Sequence, residues 1–225
     1  MITEDDYPKR GWEVVATFAS GVQMPLSVLR EMEIHPESAG KSSWGTRNML
    51  FALILSMRPK IVLEIGAHIG SAAVVMGSAL KANSFGMLYS LEPQAHYFKL
   101  LSEFINKAEV MDHVTPLKML STDPSLAKII GEKVDMIFLD ADHSYSNAIK
   151  DIEMSDALIS ENGFILLDDV GPTHSANICS EKRGGVRRAL IDFTAGRADL
   201  KVVFFEPPFW LNPCGMAMVC KQTIA

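Results

Sequence analysis

Continuous apolar runs alternate with amphipathic stretches along most of this chain. Five runs rich in Val, Ile, Leu and Phe are bounded by turn-forming residues, at 60–66, 86–92, 114–120, 134–140 and 163–169. Strands that are apolar on both faces are typical of a parallel sheet with helices on both sides. The segments between the runs are long enough for crossover helices, so the pattern predicts an α/β fold with a doubly wound, mostly parallel sheet.

The last two apolar runs predict a different connection. Residues 200–206 and 215–221 are joined by a Pro-rich segment that is too short for a crossover helix. We therefore expect a C-terminal antiparallel hairpin at one edge of a seven-stranded sheet. The apolar spacing also predicts a helix over 144–159 and another near 185–195.

The first 57 residues precede the first strand and contain two probable helical segments, "WEVVATFA" and "TRNMLFALILSM". We expect residues 1–57 to form a helical cap over one side of the sheet or over its ligand crevice. Residues 58–221 would then form the core of a single domain that spans 1–225, since 225 residues with 48% hydrophobic content can bury one full core.

Composition excludes several classes of protein. A net charge of -6 and no clustered Lys and Arg argue against nucleic-acid binding. Three cysteines at no metal-ligand spacing predict neither a disulfide framework nor a zinc knuckle. The sequence has no signal-peptide pattern and no apolar run of the roughly 18 residues that a membrane span needs, so we expect a cytoplasmic protein.

A glycine-containing turn follows the first strand, in "VLEIGAHIG". Gly66 and Gly70 allow the backbone to approach a ligand, and the helix that begins near Ser71 points its positive end toward the same place. His68 and Ser71 replace two glycines of the dinucleotide fingerprint, which disfavours a pyrophosphate site. Glu64 suits a cationic or amine-bearing ligand instead.

The second strand ends at Glu92, where a carboxylate can accept hydrogen bonds from both hydroxyls of a ribose. An acidic turn, a ribose-binding acid and a terminal hairpin together resemble the class I S-adenosylmethionine-dependent methyltransferases, over roughly residues 45–221. The resemblance implies that Glu64, Gly66, Ala67 and Gly70 line the methionine part of the cofactor, and that Ser121 and Thr122 lie near the adenine. The residues expected at the cofactor are therefore Glu64, Gly66, Ala67, Gly70, Ser71, Glu92, Ser121, Thr122 and Asp140. The alternative is a plain strand-turn-helix in which Glu64 is buried or caps the helix.

Acidic residues close the fourth and fifth strands, in "FLDADHSY" and "LLDDV". Because adjacent strand ends lie about 5 Å apart, Asp140, Asp168 and Asp169 can converge on one point. Unpaired carboxylates at that range repel one another, and a hard cation such as Mg²⁺, Mn²⁺ or Ca²⁺ would relieve the repulsion. The alternative is that these acids cap the helices that follow.

The acidic spacing with His143 resembles the metal-dependent O-methyltransferases related to the catechol and caffeoyl-coenzyme A enzymes. In the catechol-type enzymes a lysine stands at the position of His143 and an asparagine at that of Asp169. Both departures favour the branch that acts on sugars and other natural products, including its cephalosporin-hydroxylase-like relatives.

The resulting hypothesis is a divalent-metal-dependent O-methyltransferase that acts on a small-molecule hydroxyl beside a second oxygen. The cation would lower the pKa of that hydroxyl, and His143 would remove its proton as general base, unless it is only an exposed loop residue. A catechol acceptor, a metal-independent N- or carboxyl methyltransferase, a non-catalytic binding protein of the same fold and, more distantly, a nicotinamide oxidoreductase remain open. A homo-oligomer is also compatible with the sequence.

Overall fold

The computed structural model describes residues 24–179, 181, 184–207, 210 and 212–221 of the protein. Within this range the strands form a seven-stranded sheet in the order β3-β2-β1-β4-β5-β7-β6. The strands are β1 Ile61–Ile65, β2 Met87–Leu91, β3 Val114–Leu117, β4 Val134–Leu139, β5 Ile159–Asp168, β6 Leu200–Phe205 and β7 Met216–Lys221. The first five are parallel, whereas β7 pairs antiparallel with both β5 and β6, which confirms the predicted sheet and its C-terminal hairpin.

Side chains on the strands alternate between two hydrophobic cores. Ile61, Leu63 and Ile65 of β1 point into one core, and Val62 points into the other. Every residue of β1 is buried, as expected for a central strand covered by helices on both faces. Glu64 shares the face of Val62, because successive side chains of a strand point to opposite faces.

The described helices cover both sides of the sheet. They are α1 Leu26–Glu33, α2 Trp44–Met57, α3 Ser71–Asn83, α4 Ala95–Lys107, α5 Leu126–Ile130, α6 Tyr145–Leu158, α7 Pro172–Ile178 and α8 Gly185–Thr194. Serine side chains cap two of them, since the Oγ atoms of Ser43 and Ser144 accept hydrogen bonds from the backbone N–H groups of Thr46 and Asn147. None of the helices in these described ranges combines the length and the apolar character that crossing a bilayer requires.

The predicted helix over "TRNMLFALILSM" is confirmed as α2, whereas "WEVVATFA" lies outside the described residues. Two strand boundaries differ from the prediction. Strand β3 ends at Leu117 because its neighbour β2 ends at the paired Leu91. Strand β5 begins at Ile159, directly after α6, and a register shift between Val134 and Met136 accommodates the added residues.

Candidate active site

A crevice with a volume of about 630 Å³ opens at the carboxyl ends of β1, β2 and β4. This volume lies within the range of roughly 300–1,000 Å³ typical of ligand pockets. Residues that directly follow strands supply one wall, and the first turns of α4 and α6 supply Tyr97 and Asn147 on another. Its position beyond the carboxyl edge of a parallel sheet is where open α/β folds bind ligands.

The turn after β1 brings the backbone close to the end of β4. Gly66 has a φ of 92°, and a Cβ atom there would lie 2.2 Å from the backbone oxygen of Asp140. The N–H groups of Gly66 and Ala67 both donate to the carbonyl oxygen of Leu91, at 3.2 and 2.9 Å. A side chain at position 66 would therefore push β1 and β4 apart, so glycine is required for close packing at the crevice floor.

Five residues in and around this turn were predicted to contact the cofactor. Gly66 lines the crevice, whereas Glu64, Ala67, Gly70 and Ser71 do not. Gly70 has a packing role, because a Cβ atom there would lie 2.6 Å from Cδ1 of Leu101.

Glu64 is buried within the sheet and accepts a hydrogen bond from the hydroxyl of its cross-strand neighbour Ser90. Burial raises its pKa to about 8, although the Ser90 hydrogen bond lowers it and the charges of Asp140 and Glu92 raise it further. In the protein without a ligand, the Glu64 carboxyl group is therefore mostly protonated at neutral pH.

Glu92 lies on the crevice wall, held by two backbone groups. Its Oε2 accepts from the N–H of His68 at 2.9 Å, and its Oε1 accepts from the N–H of Gln94 at 2.8 Å. Burial raises its pKa, while these hydrogen bonds lower it. Each oxygen keeps a second lone pair, so the carboxylate is oriented and still able to accept from ligand hydroxyls.

Ser121 and Thr122 also line the crevice, at the end that lies next to α6. The hydroxyl of Ser121 donates to Oδ1 of Asp151, a buried residue of α6 that shares this wall. Burial raises the pKa of Asp151, and the hydrogen bond from Ser121 partly offsets this rise. This end of the crevice thus has both a carboxyl group and a hydroxyl group.

At the opposite end, Asp140, His143 and Asp169 each offer one ligand atom, and these atoms all lie within 4.8 Å of one another. Nε2 of His143 lies 2.7 Å from Oδ2 of Asp169 and 3.8 Å from Oδ1 of Asp140. On the other side of Asp169, Nε2 of His174 lies 2.9 Å from Oδ1. The carboxyl ends of β4 and β5 therefore bring acids and imidazoles together, as the strand order requires.

Asp168 is turned toward the protein interior. Its Oδ1 accepts from the N–H of Asp169 at 3.0 Å, and Thr46 of α2 donates a further hydrogen bond. Burial raises its pKa well above the usual value, and the charges of Asp140 and Asp169 add to the rise. The compact Asp140–His143–Asp169 group does not include Asp168, which stays a predicted ligand on electrostatic proximity alone.

The acids and imidazoles at this end shift one another's pKa values. Burial raises the pKa of Asp140, and the charge of Asp169 raises it further, although the nearby His143 and the hydrogen bond from Ser42 oppose the rise. Burial lowers the pKa of His143, but Asp140 and Asp169 outweigh it and raise the value to about 10. The pKa of Asp169 falls well below its ordinary value, because His143 and His174 outweigh the effect of burial.

The same residues suit a divalent cation. Nε2 of His143 is buried with two carboxylates beside it, and its contacts with the described residues do not reach good hydrogen-bond geometry. A cation would be held by the carboxylate oxygens of Asp140 and Asp169, which are ligands common to Mg²⁺ and Mn²⁺, and Nε2 of His143 would lie beside it. The donor set therefore fits a metal ion.

Several residues of the site escaped sequence reasoning. Asn147 and Asp151 lie one helical turn apart on α6, and this spacing of polar residues was a signal that could have located them. Ser42 and Thr46 had no such signal in the sequence, because each contacts an aspartate that lies about a hundred positions or more further along the chain. Tyr97, whose ring lies 4.3 Å from that of His68, also had no sequence signature.

Comparison with known proteins identifies the same class of fold. The family model described as "Methyltransferase domain" matches residues 63–170. The chain is similar to the O-methyltransferase from Bacillus cereus in complex with S-adenosylhomocysteine, at 22% identity over 93% of this chain and 97% of that chain, with a TM-score of 0.73.

Two further solved structures share this architecture. The methyltransferase from Podospora anserina with S-adenosylhomocysteine bound is 21% identical over 88% of this chain and 87% of its own, with a TM-score of 0.66. The O-methyltransferase TomG from Streptomyces achromogenes, involved in tomaymycin synthesis and bound to S-adenosylmethionine, is 15% identical over 99% of this chain and 100% of its own, with a TM-score of 0.73. The predicted fold is thereby confirmed for the part of the chain that the structure describes.

Proposed function

We propose that this chain, whose residues 63–170 match a methyltransferase family model, is a class I S-adenosylmethionine-dependent methyltransferase that transfers the cofactor's methyl group to a hydroxyl oxygen of a small molecule with the help of a divalent cation. The observation that carries the proposal is that Asp140 and His143 line the crevice and also belong to the group of potential metal ligands. The crevice and the acidic cluster thus form one continuous site.

The crevice residues would bind and orient the cofactor. Glu92, held by the N–H groups of His68 and Gln94, would accept from the ribose hydroxyls. Ser121, Thr122 and Asp151 would contact the adenine end. Gly66 would keep the crevice floor open to the methionine end, where the buried Glu64 adds a carboxyl group behind the turn.

The acidic end would hold the cation and the acceptor. Asp140 and Asp169, with Asp168 behind them, would supply carboxylate oxygens, and His143 would accept the proton of the acceptor hydroxyl. When bound, the cation would lower the pKa of that hydroxyl and offset the carboxylate charge that raises the pKa of His143. Alignment of the hydroxyl oxygen with the methyl carbon completes what the transfer needs.

The acceptor chemistry follows from two residues at this end. Asp140 and Asp169 would hold an oxygen-preferring cation at the place where the acceptor binds, which favours acceptors with adjacent oxygen atoms such as a diol or a hydroxy acid. His143 and Asp169, which differ from the catechol-type pattern, favour sugar-like or other natural-product hydroxyls. The role of TomG in tomaymycin synthesis is consistent with a natural-product acceptor.

The test combines transfer and binding measurements. Methyl transfer from labelled S-adenosylmethionine to a panel of sugar, hydroxy-acid and catechol acceptors should be lost in EDTA and return with Mg²⁺ or Mn²⁺. His143→Ala should lower kcat by about 10²–10⁴-fold, the usual contribution of a general base. The affinity for S-adenosylhomocysteine should stay within about twofold.

Asp168→Ala should abolish metal-stimulated transfer while sparing cofactor affinity, and Asp112→Asn, at an exposed residue before β3, is the matched control for loss of one acid. Transfer that persists in EDTA would favour a metal-independent methyltransferase. No affinity for S-adenosylhomocysteine in calorimetry would indicate a non-catalytic protein of this fold.

A further inference from the structure

We propose that Asp169 bridges two cation positions, and that the second position, formed by Asp169, His174 and Cys214, binds a transition-metal ion such as Zn²⁺ or Co²⁺. The inference deepens the proposed function and rests on it only through the shared carboxylate of Asp169. The three ligand atoms of this second group lie within 4.8 Å of one another.

The two oxygens of Asp169 face different partners. Oδ2 lies 2.7 Å from Nε2 of His143, whereas Oδ1 lies 2.9 Å from Nε2 of His174. A carboxylate that presents one oxygen to each of two ligand groups has the arrangement of a bridge between paired metal ions, such as those of two-metal enzymes. The side chain of His174 is 29% exposed, so an ion can reach this position from solvent.

Cys214 is held beside Asp169 by the backbone. The N–H of Gly171, two residues after Asp169, donates to the carbonyl oxygen of Cys214 at 2.5 Å. The N–H of Cys214 donates to Oδ1 of Asn212 at 3.0 Å. A Cβ atom on Gly171 would lie 2.1 Å from the backbone oxygen of Pro213, so glycine is what allows the two segments to meet. The position of the thiol is therefore set by the fold and not by a flexible side chain alone.

The ligand types decide which ion this position prefers. A carboxylate oxygen, an imidazole nitrogen and a cysteine sulfur together favour Zn²⁺, Co²⁺ or Fe²⁺ over Mg²⁺ and Ca²⁺, which bind oxygen. Three protein ligands also leave a fourth position open, as catalytic zinc sites do. In the metal-free protein the thiol of Cys214 hydrogen-bonds to the carboxylate of Asp169, which places the sulfur beside the same group as both histidines.

Cobalt titration of the metal-free protein in excess Mg²⁺ tests the proposal without using activity. We expect one tightly held Co²⁺ per chain by elemental analysis, with the near-ultraviolet absorption band of a thiolate-to-cobalt charge transfer. Cys214→Ser should abolish the band, and His174→Gln should lower the Co²⁺ affinity at least about tenfold. Cys220→Ser, at a half-buried cysteine within β7, is the matched control and should keep the band.

Other outcomes would overturn the proposal. A wild-type protein without the band, or a Cys214→Ser protein that keeps it, would show that this cysteine is not a ligand. Circular dichroism checks that each variant is folded, and His174→Gln provides an independent test if Cys214→Ser is unstable. Asp140→Asn separates the two claims, because it should impair Mg²⁺-dependent transfer and leave the band. Methyl transfer that is absent or insensitive to EDTA, with the band intact, would contradict the proposed function alone.

Discussion

Ser42 donates a hydrogen bond of 2.8 Å to Oδ2 of Asp140, although the two residues lie 98 positions apart in the chain. Thr46 makes the equivalent contact with Asp168. The segment before β1 therefore reaches the carboxyl ends of β4 and β5, where it orients the acids of the site. This contact gives the described part of the N-terminal region a role in the site as well as in covering the sheet.

Ser42→Ala should weaken metal binding without affecting the cofactor. Loss of a hydrogen bond that orients a ligating carboxylate typically costs about 10–100-fold in metal affinity or activity. We expect a drop of about tenfold in Mg²⁺ affinity, measured as the Mg²⁺ dependence of methyl transfer, with an unchanged Kd for S-adenosylhomocysteine.

Ser43→Ala provides the matched control for Ser42→Ala. Ser43 caps α2, so its loss should lower the free energy of unfolding by about 1 kcal/mol and leave the Mg²⁺ dependence as it was. Equal Mg²⁺ dependence in the two variants would show that Ser42 does not orient Asp140.

Gly66→Ala should disrupt both stability and cofactor binding. The added Cβ atom would lie 2.2 Å from the backbone oxygen of Asp140, in addition to the strain of a φ of 92°. We expect a loss of at least about 4 kcal/mol in urea unfolding, the range of severe backbone clashes.

Gly131→Ala separates strain from contact, because Gly131 has a φ of 75° and open space where the Cβ atom would lie. It should cost only about 1–2 kcal/mol. Similar losses for Gly66→Ala and Gly131→Ala would mean that the close approach of β1 to Asp140 is unimportant.

The stability of the metal-free protein should fall as the pH rises from about 5 to about 8. The pKa of Glu64 is 4.5 as its ordinary value and about 8 in the folded protein, so folding favours the protonated form. This contribution is fully present below pH 4.5 and is lost as the pH rises through about 8, at about 1.4 kcal/mol for each pKa unit.

Glu64→Gln isolates this effect from those of Asp140 and Asp168, whose pKa values are also raised. The variant should gain stability relative to wild type at pH 9 but not at pH 5, as measured by urea unfolding at both pH values. Parallel pH profiles for the two proteins would contradict the burial of an ionisable Glu64.

Asp151→Ala should weaken cofactor binding and leave metal binding unchanged. The variant removes the carboxyl group that accepts from Ser121 at the far end of the crevice from Asp169. We expect the Kd for S-adenosylhomocysteine to rise about tenfold, equivalent to about 1.4 kcal/mol. Glu153→Gln, an exposed residue on the same helix, should bind as wild type does. A normal Kd for Asp151→Ala would remove this residue from the cofactor site.

The positions of the strands and the residue types at their ends could be predicted from the sequence, because both depend on residues that are neighbours in the chain. The apolar runs predict β1, β2 and β4 within a residue or two, since burial on both faces leaves the same local pattern wherever such a strand occurs. The glycine of the first turn and the acids that close β4 and β5 are local as well. Their convergence follows from the parallel strand order alone.

The sequence by itself therefore determined the sheet and the crevice edge, and it predicted that Asp140, Asp168 and Asp169 converge. Only the tertiary structure decided that Glu64 points inward to Ser90, that Asp168 turns toward Thr46, and that Ser42, His174 and Cys214 reach the acidic end. The physical reason is that a strand pattern is set by the burial of successive side chains, whereas contacts across many tens of residues depend on how packed helices and loops are placed. Those placements arise from the whole core at once and leave no signal at a fixed spacing.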